Sequence, residues 1–307
     1  MNLPDSPLAR RLSRIEQLPA MPLIVAEALQ LLERPEVDAA RLARLIERDQ
    51  ALAARLLRMA NSPLYGFPRR ITTIRLAVSL LGNDAVRELL LAATLFEFLH
   101  NTHGAWDRTL FWRYCLYSAA AARALARHLG YRLAGEAFTA GLLHDLGVLL
   151  IASFLPEELA AIAQWQNRLG CSYVEAEQAV LGTTHAELGA WLAERWKLPP
   201  VLVHALAYHH SPSPPPVEDT PPLSPHSVLA QVTQPLTALV AFAESFAQSL
   251  GLHRWAGHSA SLAPWYLPES VQHHLLAHAL IEPTGEPSAT LAEEIEREYS
   301  ALAEALG

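Results

Sequence analysis

The sequence predicts an all-α protein, with an N-terminal helical subdomain packed on a larger helical bundle. Three observations predict it. Apolar residues recur at helical spacing in almost every segment. No stretch alternates apolar and polar residues as a half-buried strand does. The breaks between segments carry the glycine, proline and asparagine residues that end helices. With 307 residues and a 51 % hydrophobic content, the chain has ample material for a core and is too apolar to be disordered.

The elements follow in order. Leu23 to Leu32 is apolar at helical spacing and is entered through Pro22, which suits a first turn. Asp38 is the expected N-cap of a helix over Ala39 to Arg48. Gln50 to Ala60 places Leu52, Leu56 and Leu57 on one face. It ends at Asn61-Ser62-Pro63, where Asn tolerates a left-handed cap and Pro cannot continue the helix. After a loop over Leu64 to Arg70, Ile71 to Leu81 reads as a helix stopped at Gly82, and Asp84 to His100 as a long apolar one. A polar break, Asn101 to Arg108, closes this N-terminal unit, residues 1–105.

The second unit, residues 106–251, opens with an alanine-rich helix, Leu110 to Leu129, capped by Gly130. Ala137 to Ile151 is apolar on nearly every side and reads as one buried helix. Pro156 to Leu169 follows, ended by Gly170. Thr184 and Glu187 form a capping-box signature for a helix running to Trp196. Pro199-Pro200 opens a helix that ends at Tyr208-His209-His210. Residues 211–225, SPSPPPVEDTPPLSP, read as an exposed, semi-rigid loop. Val228 to Leu250 returns to helix, bent or restarted at Pro235. Residues 252–307 form a C-terminal extension whose last helix sets Leu291, Ile295, Tyr299, Leu302 and Leu306 on one face, expected to pack on the rest of the chain.

Composition excludes some functions. A net charge of −8 argues against a general nucleic-acid or anionic-membrane surface, while leaving room for a local basic patch. Two cysteines, Cys115 and Cys171, without a CxxC pair or a disulfide framework point to a reducing cytoplasm. Cys115 is expected to be buried packing. Met1 opens a polar, proline-bearing segment unlike a secretion signal. No apolar run is expected to approach the roughly 20 residues that span a bilayer, so no membrane partner is expected.

Three histidine groups could carry chemistry. His144 and Asp145 sit in the middle of the apolar Ala137–Ile151 stretch, where a buried imidazole and carboxylate must be hydrogen-bonded or bound to metal. Gly141 and Gly147 bracket them and allow close approach of other backbones. Adjacent positions on a helix point about 100° apart, so each needs partners from elsewhere. His185 stands at the first helical position after Thr184, where the helix dipole favours a neutral ring suited to a metal. His209 and His210 lie at a helix C-terminus, where the dipole and free carbonyls also suit histidine with no metal at all. Without an HExxH or CxxC motif, spacing does not decide between these readings. If the groups converge, imidazole and carboxylate suit zinc, iron or manganese.

Longer stretches carry a resemblance. GLLHDLGVLLI, then THAELGAWLAERWKLPPVLVHALAYHHSP, is similar to the HD superfamily, and the closer likeness is to the HDOD family, the HD-related output domain of bacterial signalling proteins. LPAMPLIVAEALQLL, IERDQALAARLLRMANSPLYG and ITTIRLAVSLLG resemble other stretches of that family, so the likeness covers roughly Leu12 to Gly251. It implies that the bundle is HD-like. HD phosphohydrolases hold one or two metals through a His, a His-Asp pair and a later Asp. By this resemblance His144 and Asp145 match the pair, and His185, His209 and His210 match the extra histidines of related cyclic-dinucleotide phosphodiesterases. Tyr114, in FWRYCLYS, stands where the first His belongs, and Glu244, in LVAFAESFA, stands for the late Asp. No Gly-Tyr-Pro motif follows the His pair.

The resemblance, with these two altered ligands, implies a non-catalytic signal-transduction module that binds a signalling protein or a small ligand, as a monomer or homodimer. The competing expectation is a metal-dependent phosphohydrolase acting on a nucleotide or cyclic dinucleotide, with iron, manganese or zinc as cofactor. A third is that the pair is a buried hydrogen-bond hub with no further role.

Overall fold

The structure, a computed structural model, describes residues 21–34, 37–63, 65–101, 106–211, 229, 232, 234–252, 269–282 and 286–306. The opening segment before residue 21, the centre of the Asn101–Arg108 break, the proline-rich stretch 212–225, the expected helix start at Val228 and most of the extension's first part lie outside the described residues. Every extended element among the described residues is an α-helix, and the one bridge, Ile281 with Pro287, is isolated.

Four helices form the N-terminal unit: α1 (Leu23–Leu32), α2 (Ala39–Ile46), α3 (Gln50–Ala60) and α4 (Ile74–Asn101). Asp38 caps α2 by accepting from the Ala40 amide at 2.8 Å. α4 is two helices joined at Gly82, whose φ of 78° glycine alone adopts without strain. The turn after α3 differs from expectation. Asn61 is not left-handed, at φ −94°. Its side chain instead donates to the Leu57 and Ile71 carbonyls and accepts from the Ile71 amide at 2.7 Å, so it staples the loop shut from within.

The bundle is built around α5 (Arg108–His128), buried from Phe111 to Ala126 except at Arg113. Its alanines present a smooth surface to α6 (Ala134–Leu143): a Cβ on Gly141 would sit 2.8 Å from the Ser118 carbonyl oxygen. α7 (Leu146–Phe154) and α8 (Pro156–Leu169) follow, the latter closed by left-handed Gly170. The apolar stretch expected as one helix is therefore two. It also corrects the membrane expectation: Ala134–Phe154 is 21 residues long with a mean hydropathy of 1.6, enough by length and composition to span a bilayer. Its apolar window is 89 % buried against other helices, and a broken turn at His144-Asp145 divides it.

α9 (Tyr173–Leu181), unmarked in the sequence reading, is opened by a Ser172–Glu175 capping box. α10 (His185–Arg195) is opened by the expected Thr184–Glu187 box, and α11 (Pro200–Tyr208) by Pro199-Pro200. Pro235 restarts the chain as α12 (Pro235–Ser249). After α13 (Glu269–Ala277), α14 (Ala289–Leu306) packs along α5 and reaches α3, with Leu291, Ile295 and Leu302 buried as the periodicity predicts. Cys115 is buried in α5 as expected.

Candidate metal centre

The two-residue break between α6 and α7 creates the site. His144 keeps helical angles, but Asp145 turns out of the helix at φ −96° and ψ 20°. An unbroken helix would aim the neighbours about 100° apart. The break lets both point into one space, with His144 Nε2 3.6 Å from Asp145 Oδ2. Gly147 then admits α10: a Cβ there would lie 1.9 Å from the His185 carbonyl oxygen and 2.7 Å from the Gly189 amide nitrogen. That contact of backbones sets His185 Nε2 3.1 Å from Asp145 Oδ1.

The rings are oriented from behind. His144 Nδ1 lies 2.7 Å from the Gly141 carbonyl and His209 Nδ1 2.8 Å from the Leu206 carbonyl. A carbonyl only accepts, so both Nδ1 atoms carry the proton and donate. His185 Nδ1 donates in the same way to Glu177 Oε2 at 2.7 Å, and the same oxygen accepts from the His185 amide at 3.0 Å. All three rings thus turn Nε2 inward. His185 Nε2 is 3.3 Å from His209 Nε2 and 3.0 Å from His210 Nε2. With Nδ1 protonated, His185 and His209 turn lone pairs toward each other at Nε2, and lone pairs at that distance repel unless a proton or a metal cation stands between them. Asp145 adds negative charge to the same space, 3.8 Å from His209 Nε2.

The structure brings together every histidine and carboxylate singled out by the sequence. Asp145, His185, His209 and His210 offer ligand atoms within 4.8 Å of one another, and His144, His209 and Glu244 form a second such set. This donor set fits a divalent zinc, iron or manganese ion: imidazole and carboxylate only, with each of the three inward rings held by a hydrogen bond from its far nitrogen. His144, Asp145 and His185 are 0 % exposed and His209 1 %, and half-buried His210 is the most exposed histidine of the cluster.

The two altered positions meet each other. The Tyr114 hydroxyl donates to Glu244 Oε1 at 3.0 Å and lies 3.4 Å from His144 Nε2. Gln248 donates to the same carboxylate oxygen at 2.9 Å, and His210 Nδ1 stands 3.7 Å from Glu244 Oε2. Sequence reading missed Glu177, a fully buried carboxylate on α9. The Ser-x-x-Glu cap at 172–175 would have marked that helix, and an acid on its buried face was the remaining signal.

The HDOD domain family matches this sequence over residues 18–212. An HDOD domain protein of unknown function from Geobacter sulfurreducens superposes with a TM-score of 0.72 at 27 % identity, covering 97 % of this chain and 96 % of that one. A Shewanella amazonensis SB2B protein, provisionally named a phosphohydrolase, superposes with a TM-score of 0.68 at 26 % identity, over 96 % and 97 % of the two chains. An uncharacterized protein of Treponema pallidum (strain Nichols) is 29 % identical over 199 residues, 64 % of this chain, and the match spans only 38 % of that relative's own length.

Proposed function

The chain belongs to the HDOD domain family, and from that premise we propose that it is a non-catalytic signal-transduction module, acting by binding a partner protein or a small ligand. The observation that carries this reading is the Tyr114–Glu244 hydrogen bond. These two residues stand where the HD resemblance sets metal ligands, and here they satisfy each other, at 0 % and 4 % exposure. A phosphohydrolase must admit a phosphoester and a water beside its metal. Here the ligand atoms are almost entirely buried, with half-buried His210 the most exposed of them. Asp145, His185, His209 and His210 would hold a divalent cation, which when bound would supply the positive charge that the converging lone pairs and carboxylate lack. Glu177 and the Gly141 and Leu206 carbonyls orient the rings from behind, and the cluster ties the α6–α7 junction to the ends of α10 and α11.

The test pairs metal analysis with turnover. Untagged protein, purified without chelator, is measured by mass spectrometry beside His185→Ala, and both are assayed on a broad phosphoester panel with iron, manganese and zinc. The binding reading expects no turnover with any metal. The second reading, a metal-dependent phosphohydrolase acting on a nucleotide or cyclic dinucleotide, draws on the converging Nε2 atoms. Metal-dependent turnover that disappears in His185→Ala would establish it and overturn the first.

A further inference from the structure

α10 and α11 form a hairpin whose base is the histidine cluster: His185 opens α10 and His209 follows α11. Its tip, Trp196 to Pro199, lies roughly 16 Å away along the 11 residues of α10. There it forms one wall of a cleft of about 620 Å³, with α1 and α4 of the N-terminal unit as the other wall. That volume is in the range of small-molecule sites.

The lining is of two kinds. The floor is apolar, with Leu91, Leu192 and Leu202 buried in it and Leu29 beside them. The rim carries three cations, Arg87, Arg195 and Lys197. Arg195 is steered by the Trp191 ring, 5.1 Å from its centroid. Among the described residues no carboxylate pairs with Arg195 or Lys197. Arg87 gives one nitrogen to Asp84 at 3.2 Å and another to the Leu32 carbonyl at 3.4 Å. The remaining polar groups, Gln30 and Glu33, lie on α1 and the turn after it.

Lys197 supplies a second, independent observation. It ends α10 in the left-handed region, at φ 57°. The Leu198 amide donates to the Ala193 carbonyl at 3.0 Å and the Lys197 amide to the Glu194 carbonyl at 2.9 Å, a turn that glycine closes without strain. The other left-handed helix ends, Gly130, Gly170, Gly182 and Gly251, use glycine in the same role. Only here and at Ala279, among the described residues, does a side chain bear the steric cost, and here it carries a charge to the rim of a cleft. A second cationic cleft, with Arg34, Arg41, Arg44 and Arg48 between α1 and α2, is unlike this one. Its arginines are all exposed, Arg48 is 3.6 Å from Glu27, and Leu31 and Leu45 are its only apolar lining.

We infer that the cleft at the hairpin tip binds a nucleotide-class anion, with phosphate at Arg87, Arg195 and Lys197, the ring over the leucine floor, and Gln30 and Glu33 available to its polar edge. This would be the small ligand that the binding-module reading calls for, and it is a site separate from the histidines.

Calorimetric titration of the full chain with AMP, ADP and ATP tests it, with pyrophosphate as a separate arm. Saturable nucleotide binding is expected, at least tenfold tighter than pyrophosphate. Arg195→Ala/Lys197→Ala should weaken it at least tenfold, and Arg41→Ala/Arg44→Ala should leave it unchanged. Lys197→Gly removes the charge and the strain together, so a raised Tm with weakened binding is expected. No nucleotide binding, pyrophosphate binding as tight as ATP, or unaltered affinity in the Arg195/Lys197 double variant or in Lys197→Gly overturns the inference. A loss of binding in Arg41→Ala/Arg44→Ala as large as in Arg195→Ala/Lys197→Ala would overturn it too. None of these outcomes touches the binding-module reading, which turnover decides.

Discussion

Two buried polar clusters lie in this protein, and they handle charge in opposite ways. In the first, Arg123 on α5 donates from Nη1 to Glu88 on α4 at 2.9 Å and pairs through Nε with Glu298 on α14. Arg127 reaches Glu298 at 3.2 Å, and the Arg123 guanidinium stacks 4.0 Å above the Phe138 ring. Two guanidinium groups face two carboxylates, so the cluster's charge is balanced by its own side chains. It joins the N-terminal helices, the bundle and the C-terminal helix. In the second, the histidine cluster, like groups face like groups: Nε2 atoms meet at 3.0 and 3.3 Å beside a carboxylate. Arg123, Glu88 and Glu298 in the first and His144, Asp145, His185 and His209 in the second are all buried. The difference teaches that burial alone does not mark a functional site. A buried cluster whose charges balance is a structural tie, whereas one that converges imidazole and carboxylate ligand atoms is a candidate site for a cation.

The contrast can be tested from its strongest point downward. Arg123→Ala leaves Glu88 and Glu298 buried without their cation and should cost about 3–5 kcal/mol in urea unfolding. A cost within the range of a surface substitution would show that the triad is not the structural tie described. Tyr114→Phe removes one donor from buried Glu244 and should cost about 2 kcal/mol by the same measurement, with Gln248 still in place. Glu177→Gln keeps the shape but weakens the hold on His185. It should lower zinc affinity by roughly 10- to 100-fold in a chelator competition while barely moving the urea midpoint. Equal zinc affinity in this variant would break the reading of the cluster as an oriented ligand set.

The smallest effect is expected at Glu136, a half-buried carboxylate hydrogen-bonded to Tyr131, with Arg87 acting on it only at a distance. Burial, partly offset by the hydrogen bond from Tyr131 at 2.6 Å, raises its pKa above the ordinary value of 4.5. Folding therefore favours the protonated form. That contribution is fully present below the unfolded pKa and is lost as pH rises through the folded one. Glu136→Gln should flatten stability against pH above about 4.5 and raise it slightly at pH 7, as read from thermal unfolding at both pH values. A variant less stable at pH 7 would show that the ionised carboxylate is the favoured form there.

Much of this was legible in the chain itself, where the physics is local. Helical periodicity placed α1 to α5, α8 and α14, and marked the apolar stretch that holds α6 and α7 as helical. Asp38, Thr184-Glu187, Gly82, Gly130, Gly170 and Pro199-Pro200 mark ends where neighbouring residues satisfy or break backbone hydrogen bonds within a turn. The candidate ligands were legible because a histidine and an aspartate in an apolar run are anomalous by composition alone. The break at His144-Asp145 was not, since nothing in the local sequence departs from a helix there. It exists because Gly147 lets α10 dock and α5 presses on Gly141.

By itself, then, the sequence determined an all-helical chain, most helix limits and which side chains were out of place in the core. Tertiary structure decided which of them meet. Tyr114 and Glu244 are 130 positions apart, and Arg127 and Glu298 are 171 apart. Glu177 became a partner of His185 only through the turn that joins α9 to α10. The cleft exists only where α1 and α4 face the hairpin tip. Caps and periodicity act over a few residues and can be read along a line. Hydrogen bonds and ion pairs act over about 3 Å in space, and the packing of helices alone sets those distances.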